Sequence, residues 1–452
     1  MTAAVVLSSL WPGLGQLYAG HRRRALLYGL PALLIVAGLG VVIARSPEVF
    51  ALRLLVPTFA YAVVGLITFH GLWRVAALFD AWLTTRRGRR PPGRVLPLVL
   101  LLVALTVGGH GVAGYYVYSF AGAGDRMFDG DGRPDGGGDP LDDILGPGPG
   151  WSPPPGGQLG PTPRPDNPIP TDGPVNILFV GVDSGPGRDH ALTDSLIVAS
   201  FDPDTNELVM ISVPRDTGRV PLFDGGRYDN RINSLMGHFK RNGAKYPDGP
   251  IQTLVTQMSY LVGVPIHYYA VTDMAGLREV VDLVGGVDVV LEQRIADPRM
   301  QLYMEPGRHH LDGERALMYA RSRYGPGNSD FVRARRQQQL IRALANRAKD
   351  PEVLVRLPEV LDAGARLVRS DVPVEQLPEI LELLDRSAGA TTRQIVLAPP
   401  RYAQRVPPDE VGGRYMIELK MDALAALSVE LFGDRSRYGS GSQQPPDDAL
   451  SR

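Results

Sequence analysis

Val175-Asn176-Ile177-Leu178-Phe179-Val180-Gly181-Val182-Asp183 is a short run of almost unbroken apolar character that ends on a carboxylate. A run of this length bounded by loop residues reads as a strand buried on both faces. Two further runs, 195–201 and 207–213, flank Asp202-Pro203-Asp204-Thr205-Asn206 and read with it as a hairpin. Downstream, the spacing predicts helices at 251–261, 274–283, 313–319, 331–349, 374–384 and 422–431. Strands are predicted at 266–271, 287–291 and 394–397. Strands and helices mixed without strict alternation give one α/β or α+β domain over 173–433, and the polar tail 434–452 is expected to be disordered.

The rest of the chain is of another kind. Its 452 residues exceed one typical domain. Residues 1–120 form an all-α membrane region, with apolar spans at 26–44, 54–72 and 95–118. The basic clusters His21 to Arg24 and Arg86 to Arg90 outweigh Arg45 and Arg53, and the positive-inside tendency places them in the cytoplasm. The third span then exits outward, so the expectation is a multi-pass cell-membrane protein whose α/β domain is extracytoplasmic. Residues 3–19, interrupted by Pro12-Gly13-Leu14-Gly15-Gln16, read as an interfacial or re-entrant piece, not a cleaved leader. Between membrane and domain, 121–172 shifts to Gly, Pro and Asp, a composition that cannot offset chain entropy and acts as a tether.

Net charge is -1, which excludes bulk attraction to polyanions and makes any anion site local. There are no cysteines, hence no disulfide, thiolate metal site or thiol nucleophile. The local concentration of charge lies at Arg321-Ser322-Arg323, a Gly/Pro/Asn/Ser loop, and Asp330-Phe331-Val332-Arg333-Ala334-Arg335-Arg336-Gln337. Arginine offers a planar fork of donors suited to phosphate oxygens. On a helix, Arg333 and Gln337 share a face. Arg215-Asp216 follows a predicted strand end, where ligands gather in open sheets, and Asp229-Asn230-Arg231 follows a loop. Taken singly, each is accounted for by a solvated helix or a surface salt bridge. Taken together, clustered arginines and strand-end carboxylates are what phosphoryl transfer at a pyrophosphate needs.

The blocks Asn176-Ile177-Leu178 to Val182-Asp183-Ser184, Thr193-Asp194-Ser195, Ser212-Val213-Pro214-Arg215-Asp216, Arg231-Ile232-Asn233, Leu283-Val284-Gly285-Gly286-Val287-Asp288, Leu311-Asp312-Gly313 to Arg321, and Asp330-Phe331 to Gln338 resemble, in order, the LytR-CpsA-Psr family. The resemblance implies an α/β/α sandwich with a central mixed sheet. It implies a magnesium-dependent phosphotransferase that moves a glycopolymer from a polyprenyl-pyrophosphate carrier onto peptidoglycan, at the 6-hydroxyl of N-acetylmuramic acid. By family pattern Arg321, Arg323, Arg333 and Gln337 grip the pyrophosphate, Asp216 and Asp229 hold magnesium, and Arg215 and Asp194 belong to the catalytic set, with Asp216 or Asp194 as base. The chain departs in having Leu192 where the family carries an arginine, and three membrane spans where typical members have one. Two other functions are compatible with the residues: hydrolysis of a lipid pyrophosphate, and non-catalytic binding or sensing of envelope precursors. No helix-turn-helix pattern accompanies the blocks, so no nucleic-acid partner is expected.

Overall fold

The computed structural model describes residues 2–45, 50, 53–54, 56–86, 95–128, 170, 173–183, 192–323, 330–348, 350, 352–353, 356, 359–360, 363–364, 367–373 and 376–439. The chain divides into two compact units, one helical and one α/β.

The helical unit consists of α1 (Thr2–Leu10), α2 (Leu14–Tyr18), α3 (Arg22–Arg45), α4 (Pro57–Arg86) and α5 (Val95–Phe128). The three long helices are long and apolar enough to cross a membrane. The middle one differs from the expected 54–72: it starts at Pro57, a residue pre-set for a helix start, and continues through Arg74 and Asp80 to Arg86. Asp80 is tolerated there because it is paired, with Arg24 at 2.9 Å and the Gln16 amide at 3.1 Å. The interrupted stretch 3–19 is a pair of short helices, and its motif is a packing device. A Cβ on Gly15 would sit 2.0 Å from the Ala4 carbonyl oxygen. Fully buried Gln16 accepts from Ser8 Oγ at 3.0 Å and donates to the Ala77 carbonyl at 2.8 Å. α5 runs to Phe128, past the expected start of the tether. The rest of the tether, apart from residue 170, and residues 87–94 of the second basic cluster lie outside the described residues.

The α/β unit contains strands β1 (Val175–Asp183), β2 (Leu192–Asp202), β3 (Glu207–Ser212), β4 (Thr217–Gly218), β5 (Val220–Pro221), β6 (Arg227–Tyr228), β7 (Tyr268–Asp273), β8 (Val287–Leu291), β9 (Ile295–Asp297), β10 (Leu302–Met304), β11 (Gly307–Leu311), β12 (Val368–Ser370), β13 (Thr391–Val396), β14 (Ala403–Arg405) and β15 (Ile417–Leu419). Its helices are α6 (Leu235–Arg241), α7 (Pro250–Val262), α8 (Met274–Leu283), α9 (Gly313–Arg321), α10 (Asp330–Arg347), α11 (Leu377–Ala388) and α12 (Met421–Phe432). Six strands form one mixed sheet in the order β12-β7-β1-β2-β3-β13. Pairings β1/β7 and β3/β13 are parallel, while β1/β2, β2/β3 and β7/β12 are antiparallel. Hence β1, β3, β7 and β13 point the same way, and their C-terminal ends share an edge with the start of β2.

Alternation along β1 sets the layers. Leu178, Val180 and Val182 face a core shared with Leu235 and Phe239 of α6, Leu254 and Met258 of α7, and Leu427 of α12. On the opposite face Phe179, Ile197 and Met210 pack with Ile341 of α10 and Leu383 of α11. Helices thus cover both faces, giving the α/β/α sandwich. Each fully buried side chain such as Leu178 contributes about 1.5–3 kcal/mol. The predicted helix 274–283 and strand 287–291 coincide with α8 and β8; the two-residue and three-residue strands had no periodicity to reveal them. The expected tail begins ordered: Ser436 Oγ bonds Ser428 Oγ at 2.7 Å, and Tyr438 Oη donates to the Tyr260 carbonyl at 2.9 Å. Residues 440–452 lie outside the described residues.

Candidate active site

At the C-terminal edge of the sheet lies a cavity of about 270 Å³ lined by Asp183, Asp194, Arg215, Asp297, Arg299, Arg321, Arg323, Arg333 and Gln337, with Met274 and Met300. Each element delivers its residue for a local reason. β1 ends at Asp183, and the β1/β2 ladder brings Asp194 close to it, since Val182 pairs with Thr193 and Asp183 with Leu192. Arg215 follows the end of β3, and its segment is held by the Asn233 backbone, whose N–H donates to the Arg215 carbonyl at 3.4 Å. Thr193 Oγ1 in turn donates to the Asn233 carbonyl at 3.2 Å. The Arg231-Ile232-Asn233 block therefore ties β2 to the Arg215 segment.

Arg321 and Arg323 come from an extended exit of α9. Ser322, fully buried, donates through Oγ to Asp297 Oδ2 at 2.9 Å, and its carbonyl accepts from Arg336 Nη1 at 2.7 Å. With Ser322 anchored inward, its two neighbours, the last residue of α9 and the residue after the extended cap, both line the cavity. Arg336 is thereby accounted for as an anchor, lying 5.6 Å over the Tyr319 ring and outside the cavity lining. Arg333 and Gln337 present one face of α10 to the cavity.

The electrostatics are those of a crowded cationic pocket. Asp194 takes Arg215 Nη1 with both oxygens, at 3.1 and 2.9 Å. Asp330 lies 3.1 Å from Arg323 Nε and 3.3 Å from Arg333 Nη2, so one carboxylate spaces two arginines. Burial, followed by the contending charges of Asp330 and Arg215, leaves the Arg333 guanidinium below its ordinary pKa. For Arg215 burial also works against the charge, but Asp194, Asp330 and Asp216 outweigh it and its pKa rises. Arg215 Nε and Arg333 Nε are buried with no hydrogen-bond partner among the described residues. Unsatisfied buried donors on guanidinium groups call for an anion.

Asp216 is not in the cavity lining. It is 5% exposed and sits behind the wall, 3.2 Å from Arg231 Nη1 and 4.0 Å from Arg215 Nε. Burial, then a hydrogen bond and charge repulsion from Asp330, push its pKa up to about 6, with Arg231 and Arg215 offsetting part. Asp229 is elsewhere: its side chain is 67% exposed, pairs with Arg227 Nε at 2.7 Å, and does not line the cavity. The structure thus brings together Asp194, Arg215, Arg321, Arg323, Arg333 and Gln337, with Asp216 adjoining, and leaves Asp229 out. Sequence reasoning gave no role to Asp183, Asp297, Arg299 or Asp330. The signal for Asp183 was its place at a strand end.

Among the described residues no three His, Cys, Asp or Glu side chains could hold a metal unaided. Magnesium does not need such a cage, because it is commonly held by one or two carboxylates plus substrate phosphate oxygens. Asp216 and Asp229 do not fit, since neither lines the cavity: the first is buried behind its wall and the second faces water. Asp183 and Asp194, both on the cavity wall, provide the hard oxygens that fit.

Residues 162–427 match the LytR_cpsA_psr family. The chain is 30% identical over 228 residues to the polyisoprenyl-teichoic acid–peptidoglycan teichoic acid transferase TagV of Bacillus subtilis, covering 49% of this chain and 55% of TagV. It is 32% identical over 204 residues to the similarly named TagU of Bacillus cereus, covering 45% and 62%. The chain therefore spans between half and two thirds of these relatives. The crystal structure of Bacillus subtilis TagV aligns at 25% identity and a TM-score of 0.45, over 57% of this chain and 96% of that one. With its α/β/α fold, its arginine cluster and a family match over more than half its length, the chain belongs to the LytR_cpsA_psr family.

Proposed function

We propose that this chain is a membrane-anchored, extracytoplasmic phosphotransferase that moves a glycopolymer from a polyprenyl-pyrophosphate carrier to the 6-hydroxyl of N-acetylmuramic acid in peptidoglycan. The observation that carries the reading is the convergence of Arg215, Arg321, Arg323, Arg333 and Gln337 on one cavity that also presents Asp183 and Asp194. Transferase names of the two relatives support it.

Arg321 and Arg323 would meet the pyrophosphate at the rim while buried Arg333 and half-buried Arg215 hold it from below, with their unbonded Nε donors satisfied by its oxygens. Charge that grows on the equatorial oxygens in the transition state is stabilised by donors already in position. The sugar hydroxyl oxygen forms a bond to the phosphorus that carries the glycopolymer, the bond from that phosphorus to the bridging oxygen breaks, and polyprenyl phosphate leaves with the electron pair. The hydroxyl proton passes to one carboxylate on the cavity wall, Asp194. A magnesium ion held by Asp183 together with phosphate oxygens of the substrate would supply further neutralisation of phosphate charge. Asp216 positions Arg231 and Arg215 from behind the wall.

The test is to incubate the purified full chain with a lipid-pyrophosphate saccharide, with and without peptidoglycan. Saccharide attached to peptidoglycan through a phosphodiester, and carrier phosphate released only when acceptor is present, is the expected result. Equal release without acceptor would assign a hydrolase, and no release in either case would assign a binding protein.

A further inference from the structure

A second cavity, of about 700 Å³, lies within the helical unit among α1, α3, α4 and α5. Its walls are apolar, with Leu39 of α3, Leu66 of α4 and Leu105 of α5. It is also lined by His70, Arg74 and His110. Ionisable side chains within a membrane-spanning length are costly and are kept for a ligand or a path.

The polar groups are arranged with open valences. His70 and Arg74 lie four residues apart and share a face of α4. His110 Nδ1 lies 2.8 Å from the Thr106 carbonyl, which fixes it as donor, and His110 Nε2 lies 3.0 Å from His70 Nδ1. In the neutral pair His110 Nε2 accepts from His70 Nδ1, which leaves His70 Nε2 as an acceptor. His70 Nε2 is buried with no hydrogen-bond partner among the described residues. Arg74 donates through Nη2 to the Ser9 carbonyl, while its Nε likewise has no partner there. The close approach of α4 and α5 is built in: a Cβ on Gly71 would sit 2.9 Å from His110 Cγ.

An anionic oxygen would satisfy Arg74 Nε, and a hydroxyl would satisfy His70 Nε2. A phosphate monoester in its singly protonated form offers both on one phosphorus, whereas the phosphorus of a diester carries no hydroxyl. The adjoining walls suit a hydrocarbon tail. We propose that this cavity binds a lipid phosphomonoester of the prenyl phosphate class, head group on Arg74 and His70. The proposal rests on the transferase reading only for the lipid's source, since that reaction releases prenyl phosphate.

The experiment measures binding of labelled farnesyl phosphate to the full chain in phosphatidylcholine nanodiscs, in an Arg321→Ala/Arg333→Ala background that weakens phosphate binding by the α/β unit. Binding is expected to persist there and to weaken about tenfold or more on adding Arg74→Gln. Leu105→Trp fills the apolar wall but leaves the Arg74 contact to Ser9 intact, and should weaken binding as much, so misfolding of the arginine variant does not decide the outcome. Farnesol and the diester farnesyl methyl phosphate, which has no hydroxyl, should compete poorly. Affinity unchanged by both Arg74→Gln and Leu105→Trp, or equal competition by farnesol or farnesyl methyl phosphate, overturns the proposal. Because no turnover is read, Arg74-dependent binding in a chain that transfers nothing would sink the transferase reading alone.

Discussion

Arg333 holds its charge where water hardly reaches, with only 7% of its side chain exposed, and the acid paired with it, Asp330, is shared with Arg323. A phosphate arriving there meets a donor that needs no reorganisation, which is where electrostatic catalysis is largest. Arg333→Ala should lower the transfer rate about 100-fold or more, and Arg333→Lys should restore little, because an ammonium lacks the planar fork. Full activity in the lysine variant, read as initial rate of saccharide attachment, would remove the fork from the mechanism. Asp216 makes a separate prediction. Its folded pKa, about 6, lies above the ordinary 3.8, so the folded state binds its proton more tightly than the unfolded chain does. Its contribution is therefore fully present below the unfolded value and is lost as pH rises through about 6. Melting curves of the full chain should show stability falling over that window, and Asp216→Asn should flatten it; an unchanged slope would show that another group titrates there. The arginines were legible in sequence because their charge and helical spacing converge. The carboxylates were not. Asp229, two residues from Arg231 in sequence, faces water, while distant Asp183 reaches the wall through the β1/β2 ladder.

One helix, α10, shows how an element distributes tasks among neighbours. Gln337, Gln338 and Gln339 are identical in chemistry and separated by the helical turn, so each meets a different surface. Gln337 lines the cavity. Gln338, fully buried, donates through Nε2 to the Met210 carbonyl at 3.1 Å, Ser212 Oγ at 2.8 Å and the Ile395 carbonyl at 3.1 Å, which seats the helix on β3 and β13. Gln339 donates to the Val290 carbonyl at 2.7 Å and accepts from Tyr319 Oη at 2.5 Å, joining α10 to β8 and α9. Gln338→Leu leaves buried acceptors unpaired and should cost roughly 1–3 kcal/mol of stability. Denaturant unfolding measures it, and a change within experimental error would show that the helix is held by its apolar contacts alone. Helix α10 and strands β1 to β3 could be anticipated from periodicity and turn residues. The β9 segment could not, since β9 spans only Ile295–Asp297 and its importance comes from Asp297 receiving Ser322, a contact between distant parts of the chain.

At the scale of the molecule, three helices able to cross a membrane precede an α/β unit whose cavity is lined by Arg215, Arg299, Arg321, Arg323 and Arg333. If basic residues around Arg23 stay in the cytoplasm and the third span exits outward, the two ends of the chain lie on opposite sides. The absence of cysteine makes this easy to read. Thr205→Cys, on the exposed β2–β3 turn, should react with a membrane-impermeant maleimide in intact cells, and Arg23→Cys only after the membrane is opened; the reverse pattern would place the cavity away from the wall. The most direct measurement is the attachment of saccharide from a lipid-pyrophosphate donor to peptidoglycan by the purified chain, run beside its Arg321→Ala/Arg333→Ala variant. The wild-type chain should form the phosphodiester and the variant should not, whereas equal attachment by both, or none by either, would contradict transfer at this cavity.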